Sequence, residues 1–212
     1  MSAFDRRFFL GSSAAGLLTG LLAQSARAAL PPSDQSAVNA VESYLDGIKT
    51  LQARFQQINP NGGMAAGTVY ISRPGKMRLD YDPPSKITLV ATDWRLIFQD
   101  AAVKQVNQIP LSQTPLAFLL ASQVDLNNSV EVEAVQHVGN EVGVKVIQKD
   151  KPDQGNVIVY FAQSPMELRR WTVTDPQGLV TQVVLADIKT GVTLDPDLFH
   201  WRDPKLFGWP SD

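Results

Sequence analysis

The stretch Gly67–Pro84, GTVYISRPGKMRLDYDPP, alternates in side-chain chemistry on both sides of a turn. Val69, Ile71 and Arg73 share one face of the first arm. Met77, Leu79 and Tyr81 share one face of the second, with Lys76, Arg78, Asp80 and Asp82 opposite. A period of two with one apolar face predicts a half-buried antiparallel hairpin. Residues facing each other across a hairpin point the same way, so pairing Ile71 with Leu79 and Val69 with Tyr81 requires an odd-length loop. That register leaves Pro74, Gly75 and Lys76 in the loop and sets Arg73 opposite Met77, on the apolar face. A guanidinium placed there needs a polar partner.

Before the hairpin, Val38, Val41, Leu45 and Ile48 recur at helical spacing while Asn39, Glu42, Asp46 and Lys49 face away, which predicts one amphipathic helix with Ser33 or Asp34 as its cap. Leu51, Ala53 and Phe55 then alternate with polar residues as a strand. After the hairpin come further strand candidates: 86–92, 94–98, 103–109, 130–134, 142–146, 157–161, a strand through Trp171 and Val173, and 179–188. Many short strands and one early helix define an α+β domain dominated by an antiparallel sheet. One element breaks the pattern. Thr114-Pro115 precedes Leu116-Ala117-Phe118-Leu119-Leu120-Ala121, six apolar residues in a row, and predicts a helix of about two turns that is apolar all round. Such a helix either lies buried as a connector or covers something.

The first 28 residues have a charged start, a weakly apolar middle interrupted by Gly11, Ser12, Ser13, Gly16, Thr19 and Gly20, and an Ala26-Arg27-Ala28 ending, as in a cleaved export signal. The middle is short for a membrane span, which needs roughly 20 mostly apolar residues. Asp5-Arg6-Arg7-Phe8-Phe9-Leu10 resembles the twin-arginine export motif; an ordinary secretory leader is the alternative, and either route ends outside the cytoplasm. Removing residues 1–28 from the 212 leaves 184, the size of a single domain over 29–212. The leader holds three of the 19 basic and one of the 21 acidic residues, which leaves 16 and 20 and a net charge of −4. That mild acidity gives no basic footprint for nucleic acid. With no cysteine, disulfides, thiolate metal sites and lipidation at an N-terminal cysteine are excluded.

The catalytic inventory is thin. His137 and His200 stand far apart without metal-ligand spacing, and no G-x-S-x-G elbow, P-loop or dinucleotide-binding glycine pattern occurs. Asp195 with Asp197 and Glu131 with Glu133 read as solvated carboxylates, and His200, between Phe199 and Trp201, as a packed side chain. The chain is therefore read as a non-enzyme with no cofactor and no metal.

The hairpin through Arg73-Pro74-Gly75, the strand pair around Asp93-Trp94, the strand Lys104 to Ile109, and Thr114-Pro115 before Leu116 to Leu120 together resemble, in the same order, the bacterial outer-membrane lipoprotein carrier family, LolA. The resemblance implies an incomplete, half-open antiparallel β-barrel of about 11 strands, with an N-terminal helix and a short lid helix over an apolar cavity. It implies a periplasmic chaperone, expected as a monomer, that holds the acyl chains of lipoproteins. An inner-membrane ABC transporter would load it, and an outer-membrane acceptor or that membrane itself would receive the cargo. By the same resemblance Leu116, Phe118, Leu119 and Leu120 belong to the lid, and Arg73 hydrogen-bonds to the lid region and holds it shut. Val69, Ile71, Met77, Leu79, Trp94, Leu96 and Phe98 are then expected to line the cavity. Met77 stands where an aromatic side chain is expected, and methionine adapts to flexible apolar ligands. The alternatives are an outer-membrane acceptor or lipid-sensing module on the same half-barrel, an unrecognised hydrolase, or an adhesive role.

Overall fold

The structure is a computed structural model and describes residues 30–114 and 116–209, so the expected leader and Pro115 lie outside the described residues. The predicted helix, α1, spans Pro32–Gly47 and buries Val38, Val41 and Leu45, the stripe seen in the sequence. Its start differs from expectation. Pro31 occupies the cap position with no side-chain cap, and Pro32 opens the first turn, where a fixed φ suits the helix and a missing N–H leaves nothing unsatisfied.

Eleven strands follow: β1 (Thr50–Ile58), β2 (Met64–Ser72), β3 (Lys76–Tyr81), β4 (Ile87–Thr92), β5 (Arg95–Asp100), β6 (Gln105–Pro110), β7 (Glu131–Val138), β8 (Glu141–Ile147), β9 (Asn156–Gln163), β10 (Met166–Thr174) and β11 (Val180–Thr190). They form one antiparallel sheet in the order β6-β5-β4-β3-β2-β1-β11-β10-β9-β8-β7. Two meanders thus meet where β1 pairs with β11. The terminal strands β6 and β7 do not pair, so the barrel is unclosed, and residues 111–130 run from one to the other. Helix α1 packs on β7 and β10. A bulge in β10 next to Leu168 frees a backbone N–H, and Leu168 donates it to the Tyr44 hydroxyl of α1 at 3.1 Å.

The deciding hairpin forms with its faces as predicted and its register shifted by two. Ile71 pairs with Met77 and Val69 with Leu79; the loop is Arg73-Pro74-Gly75, with Lys76 drawn into the ladder opposite Ser72. Gly75 takes a φ of +75°, which glycine adopts without cost. A shift of two leaves every face unchanged. Leu51, Ala53, Val69, Ile71, Met77 and Leu79 make one continuous apolar face, all 7 % exposed or less. Glycine is required at Gly67, where a Cβ would stand 2.1 Å from the Asp80 carbonyl oxygen and 2.6 Å from the Phe55 ring. The Phe55 ring uses that space to meet Tyr81 edge-on, with centroids 5.1 Å apart.

β5 departs from expectation. Trp94 is not in the strand at all: with Asp93 it forms the β4–β5 turn at φ +61°, 76 % exposed. Leu96 and Phe98 pair with Ala91 and Leu89 and so share the face of Met77 and Leu79, but they are only half-buried. The fully buried residue is Ile97, on the opposite face with Val90. A C-terminal segment covers that face: Pro196–Phe199 packs on β3 and β4 with Phe199 buried, Arg78 donates to the Leu198 carbonyl at 3.1 Å, and the Trp201 indole donates to Gln99 at 2.9 Å. Both faces of this part of the sheet are therefore covered, and simple alternation does not tell them apart.

Candidate functional site

The apolar face of β1–β3 curves beneath α1 and the segment 111–121. That segment contains two short 3-10 turns, Leu111–Gln113 and Ala117–Leu120, and the second is what forms where a helix of about two turns is expected over 114–122. Its bonds run to the third residue back: Ala117 to Thr114, Leu119 to Leu116 and Ala121 to Phe118. The Thr114 hydroxyl donates to the Leu111 carbonyl and closes the first turn instead of capping the second. An isolated two-turn helix is marginal in water, so packing decides its form. Here packing buries three successive side chains, Phe118, Leu119 and Leu120.

Between this roof and the sheet lies a cavity lined by Leu45 of α1 and Ile48 just after it, Leu51, Ile71, Arg73 and Met77 of the β1–β3 meander, Leu116, Leu119 and Leu120 of the roof, and Leu168 and Trp171 of β10. Its volume is about 20 Å³, room for roughly one water. Ligand-holding pockets measure about 300–1,000 Å³. The lining is hydrocarbon apart from the Arg73 guanidinium and the indole N–H of Trp171. This is the geometry of a small apolar cavity beneath a separate, apolar roof.

Arg73 sits at one margin of the roof. Its Nη1 donates to the Ala121 carbonyl at 3.5 Å, the limit of a hydrogen bond, and the neighbouring Gly75 N–H donates to the Leu120 carbonyl at 2.7 Å. Burial pulls the Arg73 pKa below the usual arginine value, an effect the Asp46 carboxylate opposes. At the other margin α1 supplies carboxylates: Asp46 accepts from the Val124 N–H at 2.7 Å and Glu42 from the Leu126 N–H at 2.5 Å. Gln148, beyond β8, donates to the carbonyls of Ser112 and Thr114 at 2.8 and 3.2 Å.

Of the residues expected at the cavity, Ile71, Met77, Arg73, Leu116, Leu119 and Leu120 come together around it. Val69, Leu79 and Phe118 are buried beside it in the core, Leu96 and Phe98 lie further along the same face, and Trp94 stands in solvent on its turn. Leu45, Ile48, Leu51, Leu168 and Trp171 were not anticipated. The α1 stripe and the alternation around Trp171 carried that information, but neither says which elements meet across the fold.

The chain thus falls in the class of unclosed antiparallel barrels with a roofed apolar cavity. The sequence profile of the outer membrane lipoprotein carrier protein LolA matches residues 46–202, and the chain belongs to that family. An outer-membrane lipoprotein carrier protein of Methylococcus capsulatus is 31 % identical over 176 residues, covering 77 % of this chain and 82 % of the relative. One from Nitrosomonas europaea is 27 % identical over 183 residues, covering 82 % and 88 %. Among solved structures, a LolA superfamily protein from Nitrosomonas europaea superposes with a TM-score of 0.43 at 12 % identity, over 77 % of this chain and 97 % of that one.

Proposed function

We propose that this protein is a periplasmic chaperone that takes the acyl chains of lipoproteins into the cavity beneath residues 111–121 and carries them to the outer membrane. The observation that supports this most directly is the apolar cavity under a separate, apolar roof. One acyl chain of about 15 methylenes costs roughly 12 kcal/mol to hold in water, at ~0.8 kcal/mol per methylene. A carrier removes that cost, and a roof with two arrangements lets it both hold and release.

In this reading residues 1–28 are an export signal and 29–212 the carrier domain. Residues 111–121 are the lid, and Arg73 with the Gly75 N–H latches it shut. A cavity of 20 Å³ holds no acyl chain, so in this reading loading requires the lid to move. Loading falls to an inner-membrane ABC transporter, because the chain carries no nucleotide-binding motif, and delivery goes to an outer-membrane acceptor or to that membrane directly. Co-expression with a lipidated protein, followed by native mass spectrometry, tests the reading. A one-to-one complex that retains the lipid is expected, and its absence under conditions that preserve other carrier complexes overturns the proposal.

A further inference from the structure

The unclosed barrel has two free edges, and they are built differently. β7 is guarded. It carries a bulge between Val132 and Ala134, glutamates at 131 and 133 with Glu133 paired to Lys145, packing from α1, and a contact from His137 to Asp34 in the first turn of that helix at 3.2 Å. Bulges, charges and covering elements are the devices that stop a sheet edge from pairing. β6 has almost none of them. Its sequence is Gln-Val-Asn-Gln-Ile-Pro; every residue except Val106 is exposed, and Lys104 and Pro110 stand only at its two ends.

The hydrogen-bond phase along β6 identifies its free groups. Leu111 donates its N–H to the Trp94 carbonyl, and the ladder pairs Ile109 with Leu96, Asn107 with Phe98 and Gln105 with Asp100. In an antiparallel pair alternate residues bond inward, so the N–H and C=O of Val106 and Gln108 point away from β5. No hydrogen bond among the described residues occupies them. β6 also leads directly into the lid, and Ile109, 45 % exposed, extends the apolar face past it. The cavity is lined from β1–β3, β10 and the lid, so with the lid displaced the polypeptide attached to an anchor held there leaves on the side the lid uncovers, and β6 is the free edge that runs into that lid.

We propose that β6 is a docking strand for the cargo polypeptide: the extended segment adjoining the lipid anchor adds to its free edge, bonding to the main chain of Val106 and Gln108. This rests on the carrier reading and extends it from lipid to polypeptide. Main-chain pairing is indifferent to side chains, which suits a carrier whose cargoes share an anchor and differ in sequence. Neutral Gln105, Asn107 and Gln108 avoid repelling either sign of charge.

The test compares two probes on the purified protein: a diacylated cysteine amide, and the same lipid followed by an uncharged peptide of about ten residues, the length of a long strand. The lipopeptide is expected to bind more tightly and to slow exchange of the Val106 and Gln108 amides. Gln108→Pro removes an outward N–H while sparing the β5 ladder, as edge prolines do, and is expected to cost up to about tenfold in lipopeptide affinity with the bare anchor unaffected. Gln108→Ala, which loses only the side-chain bond from Arg95, retains full binding. A lipopeptide methylated at its backbone nitrogens gives the same loss without altering the protein. Equal affinity for both probes with unprotected amides overturns the docking strand and leaves the carrier standing. Failure of the wild type to bind the bare anchor overturns the carrier and the docking strand together. Protection of both amides by concentration-dependent dimerisation, without ligand, assigns the edge to a second copy and also overturns the proposal.

Discussion

Of the contacts that hold the roof, those on its hairpin side and those just beyond it on the α1 side differ in strength. On the hairpin side the latch is a guanidinium at 3.5 Å and one backbone bond from Gly75. On the α1 side two carboxylates take the N–H groups of Val124 and Leu126 at 2.7 and 2.5 Å, and Asn127 adds contacts to Glu42 and Gln35. Bonds to charged acceptors are shorter and stronger than neutral ones. On the proposed lid reading, the hairpin side is the margin expected to open and the α1 side the fixed root. That reading puts the hinge near Ala121–Gln123, between the last latch contact and the first α1 contact.

The largest expected effect separates wall from roof. Trp171, 4 % exposed in β10, belongs to the wall, and Trp171→Ala is expected to cost about 3–5 kcal/mol of global stability in denaturant melts. Leu120, 2 % exposed, belongs to the roof, where Leu→Ala removes about 2–5 kcal/mol of packing. If the roof opens on its own, Leu120→Ala loses that packing mainly as faster exchange of amides 116–121, with a smaller shift of the global midpoint. A full global loss would make the roof part of the core and abolish the distinction.

Next comes the root. Replacing Asp46 or Glu42 by alanine removes a hydrogen bond to a charged group, worth about 1.5–3 kcal/mol, and the lower end applies because both side chains are half-exposed. Exchange of the Val124 and Leu126 amides is expected to rise more than that of the Gly75 amide. The same strap ends in a turn where Asp125 accepts from Asn128 and lies near Lys149, and these hold its carboxyl below the ordinary aspartate range. A depressed folded pKa contributes stability above the unfolded value, about 3.9, and loses it as pH falls through the folded value. Between pH 5 and 8 this turn is therefore insensitive to pH, and loosening on acidification begins only near pH 4. Amide exchange across 125–129 as a function of pH measures this, and loosening already at pH 6 would contradict it.

How far the sequence reached is plain from the same elements. The hairpin's faces were legible because a period of two survives any even shift in register, and for that reason the shift itself was not. The α1 stripe is legible, and Glu42 and Asp46 are legible only as facing away from it, since their partners are backbone amides about 80 residues away. The six apolar residues after Thr114-Pro115 announced a buried element without fixing its helical type. Trp94 was misplaced because alternation in Trp94, Leu96 and Phe98 runs through a turn. Ile97 escaped because it is buried by a C-terminal segment that shows no periodicity of its own.

The latch is weaker than the root, and Arg73→Leu is expected to cost no more than about 1 kcal/mol of global stability, since it removes one long hydrogen bond while relieving a half-buried charge. Its effect lies in the lid: amides 116–121 exchange faster and uptake of lipid probes accelerates. Unchanged exchange and uptake would leave Gly75 as the working contact, a backbone bond that no side-chain substitution removes.

The smallest effect is expected at the other end of the roof, and its sign is opposite. The Trp94 carbonyl accepts from the Leu111 N–H where the lid begins, yet the side chain is 76 % exposed and the backbone sits at φ +61°, in the left-handed region that favours glycine. Trp94→Gly keeps the carbonyl and suits a two-residue hairpin turn. It releases the steric cost of a side chain in that region, roughly 1–2 kcal/mol, against roughly 0.5–1 kcal/mol of added unfolded-chain entropy. A net gain of up to about 1 kcal/mol in global stability is expected, with lid exchange unaltered. Destabilisation would mean that the indole packs where it looks bare. Faster lid exchange would mean that the side chain, and not only its carbonyl, anchors the start of the roof, giving the movable segment a second root beside β5.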